Sequence, residues 1–323
     1  TTDSSDKIIA ITECINTTLS PSSSVLLIQT NGSSSYYFPQ DINTGVTTFT
    51  GDTTSGSAVV INVSSTTGLF SGQRITGTGI PANTRILSVD SATQITMTAN
   101  ATATNATVTI TKEHMAKILD ADFPSGTTGP MVEMDGYIYV ADITNGRIYN
   151  SDLNSVTAWD ADSYISVNAK AGLISGLGRW KNYILAMTNA GIEVFENTGN
   201  YTGSPLQRIT SAFINFGPLG GSAISYPQFC SYRDYIFFKC VTTQSGTSGI
   251  WMMNSGLTPQ KISSPVIDRI IIGDNTIGGG VMDCFDFHGK TYLHIGSASA
   301  TTLSTSFLYC VESQEWTEGA FPF

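Results

Sequence analysis

Charge is scarce in this sequence. Asp, Glu, Lys and Arg make up 12% of its 323 residues, against about 25% in an ordinary soluble domain. The basic residues are scattered, no Lys/Arg run occurs, and the formal net charge is −10. These features exclude a surface that tracks a phosphate backbone, and with it sequence-specific DNA binding. A mildly acidic wall can still face DNA without adhering to it, which suits a conduit. Cysteine is sparse too: Cys14, Cys230, Cys240, Cys284 and Cys310 are odd in number, widely spaced and free of any C-x-x-C pair. A zinc ribbon or a disulfide scaffold is thereby excluded, and contexts such as FFKCV and FLYCV read as buried, reduced thiols. No run approaches the ~20 apolar residues of a membrane helix. No signal-peptide pattern opens the chain, so no membrane partner is expected.

Catalytic vocabulary is equally thin. No G-x-S-x-G elbow and no phosphate-cradling Gly-rich loop with a following Lys-Ser/Thr is present. The serines beside glycines at 173–178 and 220–225 have no assignable histidine and acid. His114, His288 and His294 are the only histidines; a metal site at the last two would have to draw on Asp283 and Asp286, and ordinary strand positions account for them better. Glycosidase chemistry needs two carboxylates at a set separation. Asp122, Glu133, Asp135, Asp142, Asp160, Asp162, Glu193 and Glu196 supply acids, but nothing singles out a pair. The turn DITNGR at 142–147 lacks the flanking acids of an EF-hand. Trp159, Trp180, Trp251 and Trp316 sit near strand ends, where packing is their expected role and a sugar-stacking platform the functional alternative. The expected site inventory is therefore empty: no catalytic residue, no cofactor, no metal, and no enzyme.

What the chain does have is strands. A strand-pair pattern returns four times: GYIYVADITNGRIYNS, KNYILAMTNAGIEVFEN, RDYIFFKCVTTQSGTSGIWMMNS and GKTYLHIGSASATTLSTSFLYCVES. Each copy is an apolar strand led by a tyrosine, a polar turn and a second apolar strand. The lead tyrosines, Tyr137, Tyr183, Tyr235 and Tyr292, are spaced by 46, 52 and 57 residues. An all-strand repeat of that length predicts the blades of a β-propeller. Upstream, 7–15 and 24–30 read as strands. Asn31-Gly32 reads as a hairpin turn into SSSYYF, making an incomplete first blade.

From about Gly45 the texture changes. Residues 45–111 carry only Asp52, Arg74, Arg85 and Asp90 as charged side chains. Short strands are expected at SAVVINVSS, QRITGTG, TRILSVD, TQITMTA and ATVTITK. The inward positions are Val59, Ile61 and Val63, then Ile86 with Ser88, then Val108 with Ile110. The fold class expected is all-β: a β-propeller body with a small Ig-like β-sandwich inserted in one of its loops. The corresponding domains are 1–44, first part of the propeller; 45–111, the insert; and 112–323, the remainder. Met115, Ile118 and Leu119 fall at i, i+3 and i+4, which predicts a helix over 112–122 stopped by Pro124; a strand ending in AKILDADF is the alternative. No long helix is readable after residue 130.

The stretch AGLISGLGRWKNYILAMTNAGIEVFENTGN at 171–200 resembles a characteristic segment of the packaged-DNA stabilisation proteins of short-tailed bacteriophages. There a G-[IL]-I-x-G-[IL]-G-x-W approach leads into a blade ending I-E-x-F. The likeness continues through DITNGRIYNSDLNSVTAWDADSY, SAISYPQFCSYRDYIFF, IWMMNSGLTPQKISSPVIDRII and VMDCFDFHGKTYLHI, covering about 130–319 in order. The family is similar in role to the nozzle proteins at the tip of short phage tails. The resemblance implies a structural virion protein of the phage tail, a tail hub that assembles in the host cytoplasm as a homo-oligomeric ring of about six copies. It implies a portal adaptor (head–tail connector) above, a tail needle and tailspike or tail fibre proteins as further partners, and non-specific steric contact with packaged DNA. Such a ring retains DNA and conducts it at ejection. No catalytic residues come with the family. Two departures stand out. GLFSGQRITGTGIPANTRILSV, within 45–111, resembles small Ig-like modules of phage virion proteins rather than the simplest family members. The chain also runs from Thr1 to Phe323 as though part of a longer polypeptide. A carbohydrate- or receptor-binding propeller protein of the phage tail is the alternative reading, and a propeller glycosidase a third.

Overall fold

The computed structural model describes residues 8–16, 23–30, 35–39, 48–124, 127–169, 174–188, 190–217, 229–240, 248–254, 256–273, 282–296 and 306–319. The chain divides into two compact units. One comprises residues up to 125 with 136–138 and 150–161, the other 126–135, 139–149 and 162 onward.

In the first unit, β1 (Ile8–Asn16), β2 (Ser23–Thr30) and β3 (Ser35–Pro39) form an antiparallel meander. The Asn31-Gly32 turn expected between the last two lies outside the described residues. Next come β4 (Thr48–Thr53), β5 (Val59–Ile61), β6 (Gln73–Thr76), β7 (Ile86–Ser91), β8 (Gln94–Met97) and the long β9 (Asn105–Lys117). All nine strands belong to one hydrogen-bonded sheet, along the path β1-β2-β3-β9-β4-β5-β8-β7 with β6 also on β9. A single strand, β9, joins the two textures. Its first half pairs with β4 (Phe49 opposite Ile110), and its last residues pair with β3 (Tyr36 opposite Lys117, Tyr37 opposite Ala116).

The helix predicted over 112–122 is therefore absent: its first half is the end of β9. Val108, Ile110 and Lys112 are buried while Thr109 and Thr111 are exposed, a period of two. Pairing with β3 on one side and β6 on the other (Ile75 opposite Lys112) supplies backbone partners that outweigh the helical spacing of Met115, Ile118 and Leu119. A second difference lies in β5. Val60 and Val63 are buried, whereas Ile61 is 45% exposed, the reverse of the expected Val59/Ile61 face. Asn62 adopts φ 52°, ending the strand after three residues and turning Val63 inward. Strand β4 carried no periodic signal, because Gly51 and Asp52 are poor strand formers. Gly51 fits there because a Cβ would lie 2.6 Å from Val60 Cγ1. Residues between 49 and 110 share a core of their own, among them Phe49, Val60, Ile75, Ile86, Ile95 and Ile110.

The remaining strands form four four-stranded antiparallel sheets, each in sequence order. The first holds β10 (Thr127–Met134), β11 (Tyr137–Asp142), β12 (Arg147–Ser151) and β13 (Trp159–Ser166). The second holds β14 (Ile174–Trp180), β15 (Tyr183–Thr188), β16 (Ile192–Asn197) and β17 (Leu206–Arg208). The third holds β18 (Phe229–Tyr232), β19 (Tyr235–Cys240), β20 (Gly249–Met253) and β21 (Pro259–Lys261). The fourth holds β22 (Met282–Phe287), β23 (Lys290–Ile295), β24 (Ser306–Cys310) and β25 (Glu315–Gly319). The leading strands β10, β14, β18 and β22 lie side by side in succession within the second unit.

Alternation then dictates how the sheets stack. In β19, Phe237 points into a core shared with Leu293, Ile295 and Phe307 of the fourth sheet, while Ile236 and Phe238 point into one shared with Leu185, Met187 and Val194 of the second. The third sheet is thus buried on both faces, which is why its strands β19 and β20 read as near-continuous apolar runs. A nine-residue helix, α1 (Pro265–Gly273), follows β21 and sets Ile267 and Ile270 against the core of the last two sheets. It is short, and no long helix occurs among the described residues after residue 130, yet its signals were present. Pro265 occupies the first turn, Ser264 Oγ accepts from Ile267 N, and Ser264 O accepts from Asp268 N.

Two-residue hairpins join the first and second strands of each sheet: Asp135-Gly136, Lys181-Asn182, Arg233-Asp234 and His288-Gly289. The leading residue of each has positive φ, between 49° and 55°, the backbone sense that matches strand twist. These turns fix the repeat register. Tyr137, Tyr183 and Tyr235 each follow a turn directly, but the fourth equivalent is Lys290, and Tyr292 sits two residues further along.

Candidate functional surface

The hairpin turns carry the charged residues Asp135, Lys181, Arg233 and Asp234, and in the second unit these and the strands beside them link successive sheets. Between the first and second sheets, Arg179 pairs with Glu133 at 2.9 Å, and Asn197 Nδ2 donates to Asp135 Oδ2 at 2.9 Å. Between the second and third, Lys181 Nζ lies 2.9 Å from Asp234, and Trp180 Nε1 donates to Asp234 O at 3.0 Å. Between the third and fourth, Arg233 pairs with Asp286, which also accepts from Thr291 Oγ1. The result is a belt of polar links along one end of the sheet stack. Each exposed pair contributes on the order of 0–1 kcal/mol, so the belt sets the angular position of neighbouring sheets more than their stability. The sequence signal for it was a charged or polar residue at the first turn position before each lead strand.

A second link is buried. Glu193 on β16 is 2% exposed, and its Oε2 lies 2.6 Å from Arg208 Nε on β17. Glu193 Oε1 accepts from Ala169 N, while Arg208 donates to Ser166 O and Asn168 Oδ1. This pair pins the connection between the first and second sheets. It lies within the I-E-x-F motif, whose acid was read only as one of several candidates.

Three of the other acids considered for catalysis have structural tasks: Glu133 and Asp135 in the belt, and Asp142. Asp142 is buried and caps its own turn, accepting from Thr144 N, Asn145 N and Asn145 Nδ2. The DITNGR turn is held by that carboxylate itself. Asp160 and Asp162 lie on the outermost strand of the first sheet. The histidines are not brought together. His114 is on β9, His288 is exposed in a hairpin against the Phe287 ring, and His294 is buried near the far end of β23 opposite Asp283. Burial holds the His294 imidazole below its ordinary pKa, with Asp283 opposing the shift. Among the described residues no group of three or more His, Cys, Asp or Glu could hold a metal ion.

The indoles are built into the packing. Trp159 and Trp180 are buried, Trp316 Nε1 donates to Ile262 O at 2.8 Å, and Trp251 lies 4.5 Å from the Phe216 ring. The exposed aromatics lie elsewhere. Tyr201 stands fully in solvent on the β16–β17 hairpin. Phe285 and Phe287 border a depression of about 420 Å³ on the outward face of the fourth sheet, with Lys290, Tyr292, Leu308 and Cys310. One buried cation sits in the third sheet: Lys239, 0% exposed, whose pKa burial pushes down to about 8. No helix among the described residues is long and apolar enough to cross a membrane.

Sequential four-stranded meanders, stacked face to face with their leading strands adjacent, define a β-propeller. A family model described as bacteriophage P22 Gp10, β-propeller, of the phage stabilisation family, matches residues 25–306. The chain belongs to that family and is a structural protein of the phage tail. The match reaches upstream of the 130–319 stretch that carried the resemblance in the sequence. No curated protein matches the chain.

Among solved structures, a streptogramin B lyase is similar at 10% identity and a TM-score of 0.42, over 99% of this chain and 84% of that one. Kluyveromyces lactis Hsv2 is similar at 9% and 0.39, over 97% of this chain. The dihydro-heme d1 dehydrogenase NirN is similar at 8% and 0.42, over 92%. The chain spans 64% of the length of the Hsv2 structure and 53% of NirN. At these identities the likenesses bear on neither activity nor partners.

Proposed function

We propose that the chain is a tail hub or nozzle subunit without catalytic activity. It forms a homo-oligomeric ring of about six copies beneath the portal and its adaptor, retains packaged DNA, conducts it at ejection, and anchors the tail needle, spikes or fibres. The observation that carries this reading is the family match over residues 25–306. The net charge of −10 supports it as well, since a conduit must not hold the DNA it passes. Retention would be steric, a narrowing set by propeller position in the ring.

We further infer that 45–111 is a module inserted between the propeller segments 1–44 and 112–323. The self-contained core between Phe49 and Ile110 supports this, as does the strand β9, which pairs with β4 inside the segment and with β3 outside it. Its role would be contact with neighbouring tail proteins or the host surface.

The test is the native mass of the purified protein, alone and with the portal adaptor. A ring of about six copies in either condition supports the hub reading. A monomer that ignores the adaptor overturns it and turns attention to glycan binding by 45–111.

A further inference from the structure

Of the four described cysteines, two meet. Cys230 lies on β18 opposite Phe237, and Cys284 lies on β22 opposite Leu293. Those strands are the leading strands of the third and fourth sheets and lie against one another, and Phe237 and Leu293 share the core between them. Both cysteines pack on that same core, and their thiols are hydrogen-bonded to each other. Both are unbridged and only partly buried. The other two described thiols are placed differently. Cys240 is buried in the third sheet, and Cys310 is buried with its Sγ directed at Glu312.

We propose that Cys230 and Cys284 are a redox-closable pair whose disulfide staples the leading strands of two successive propeller blades. The oxidant class is a low-molecular-weight disulfide such as oxidised glutathione. One cysteine thiolate attacks a glutathione sulfur and expels one glutathione thiolate. The second cysteine thiolate then attacks the mixed disulfide and expels the other. Two cysteine protons go to solvent, two cysteines are oxidised, and one oxidised glutathione becomes two reduced. In a reducing cytosol the pair stays open; in an oxidising medium it closes. The bond would cross-link residues 54 apart in sequence, and so hold the third and fourth blades together when one of them strains outward.

Reactivity is set by the thiolate. The hydrogen bond from Cys230 and then burial raise the Cys284 pKa. Closure is therefore slow at neutral pH and accelerates as pH rises.

The experiment uses the full chain, reduced and freed of reductant, then exposed to oxidised glutathione at neutral pH and near pH 9. Free thiols are counted in denaturant, and linked peptides are read by mass spectrometry without reduction. Five thiols are expected to fall to three, faster at the higher pH, with a Cys230–Cys284 linked peptide that dithiothreitol dissolves. In Cys284→Ser the linked peptide and the paired loss of two thiols disappear. Five thiols persisting near pH 9 overturn the proposal. So does a linked peptide that joins either residue to Cys14, Cys240 or Cys310, or a stable glutathione adduct on wild-type Cys230.

Discussion

Removing the guanidinium of Arg208 should be among the most damaging single changes in the second unit. Glu193 is 98% buried, and its carboxylate is balanced by Arg208 at 2.6 Å with one further hydrogen bond from Ala169 N. In Arg208→Met that carboxylate remains buried without its cation, a loss of about 3–5 kcal/mol. Glu193→Gln is milder, about 1–2 kcal/mol, because Arg208 is 27% exposed and keeps its bonds to Ser166 O and Asn168 Oδ1. The double variant should cost well under the sum, since a buried pair contributes little net stability once both charges are gone. The assay is urea unfolding followed by tryptophan fluorescence, with Trp180, Trp251 and Trp316 reporting on this unit. Single-variant losses under about 0.5 kcal/mol, or losses that simply add, would refute the assignment of this pair as a buried clamp.

Two further outcomes follow from the same geometry. Relative to wild type, Lys239→Met should gain up to about 3 kcal/mol on going from pH 10.5 to pH 7, since burial lowers the lysine pKa from 10.5 to about 8. With a depressed folded pKa, the native lysine loses stability as pH falls through that window, so the gain should vanish above about pH 10.5; a pH-independent gain in urea titrations would contradict this account. Gly72→Ala should cost about 3 kcal/mol or more. Gly72 has φ +87°, its N–H bonds Ile86 O, its carbonyl accepts from Lys117 N, and a Cβ would overlap the Lys117 carbonyl. A melting temperature unchanged from wild type would show that this crossing of β6, β7 and β9 tolerates displacement.

Much of the propeller was legible because inner strands such as β11, β15 and β19 bury both faces. Apolar runs such as YIFFKC and YILAMT announce themselves when every side chain meets a neighbouring sheet. The repeat was visible for the same reason, and the two-residue hairpins explain why tyrosine recurs just after them. The fourth copy is offset by two residues in the tyrosine spacing because Lys290 stands where tyrosine stands elsewhere and the next tyrosine is Tyr292. The helix at Pro265–Gly273 was equally written in the sequence, through Ser264, Pro265 and the Ile267/Ile270 spacing, but a nine-residue element between strand signals is easily passed over.

Composition and pattern alone determined that the chain is all-β and blade-like, and the motif at 171–196 pointed to its family. These are local properties: periodicity, turn chemistry and charge content are carried by neighbouring residues. Pairings between distant residues belonged to the tertiary structure. Only there does β9 turn from a helical spacing into a strand shared by β3, β4 and β6, because its partners lie up to 81 residues away in sequence, as Tyr36 does from Lys117. Only there does Glu193 find Arg208, Lys181 find Asp234, and Cys230 find Cys284. A sequence specifies which side chains can be buried or charged; which of them meet is fixed when sheets stack and the alternation of each strand assigns every residue to one interface or the other.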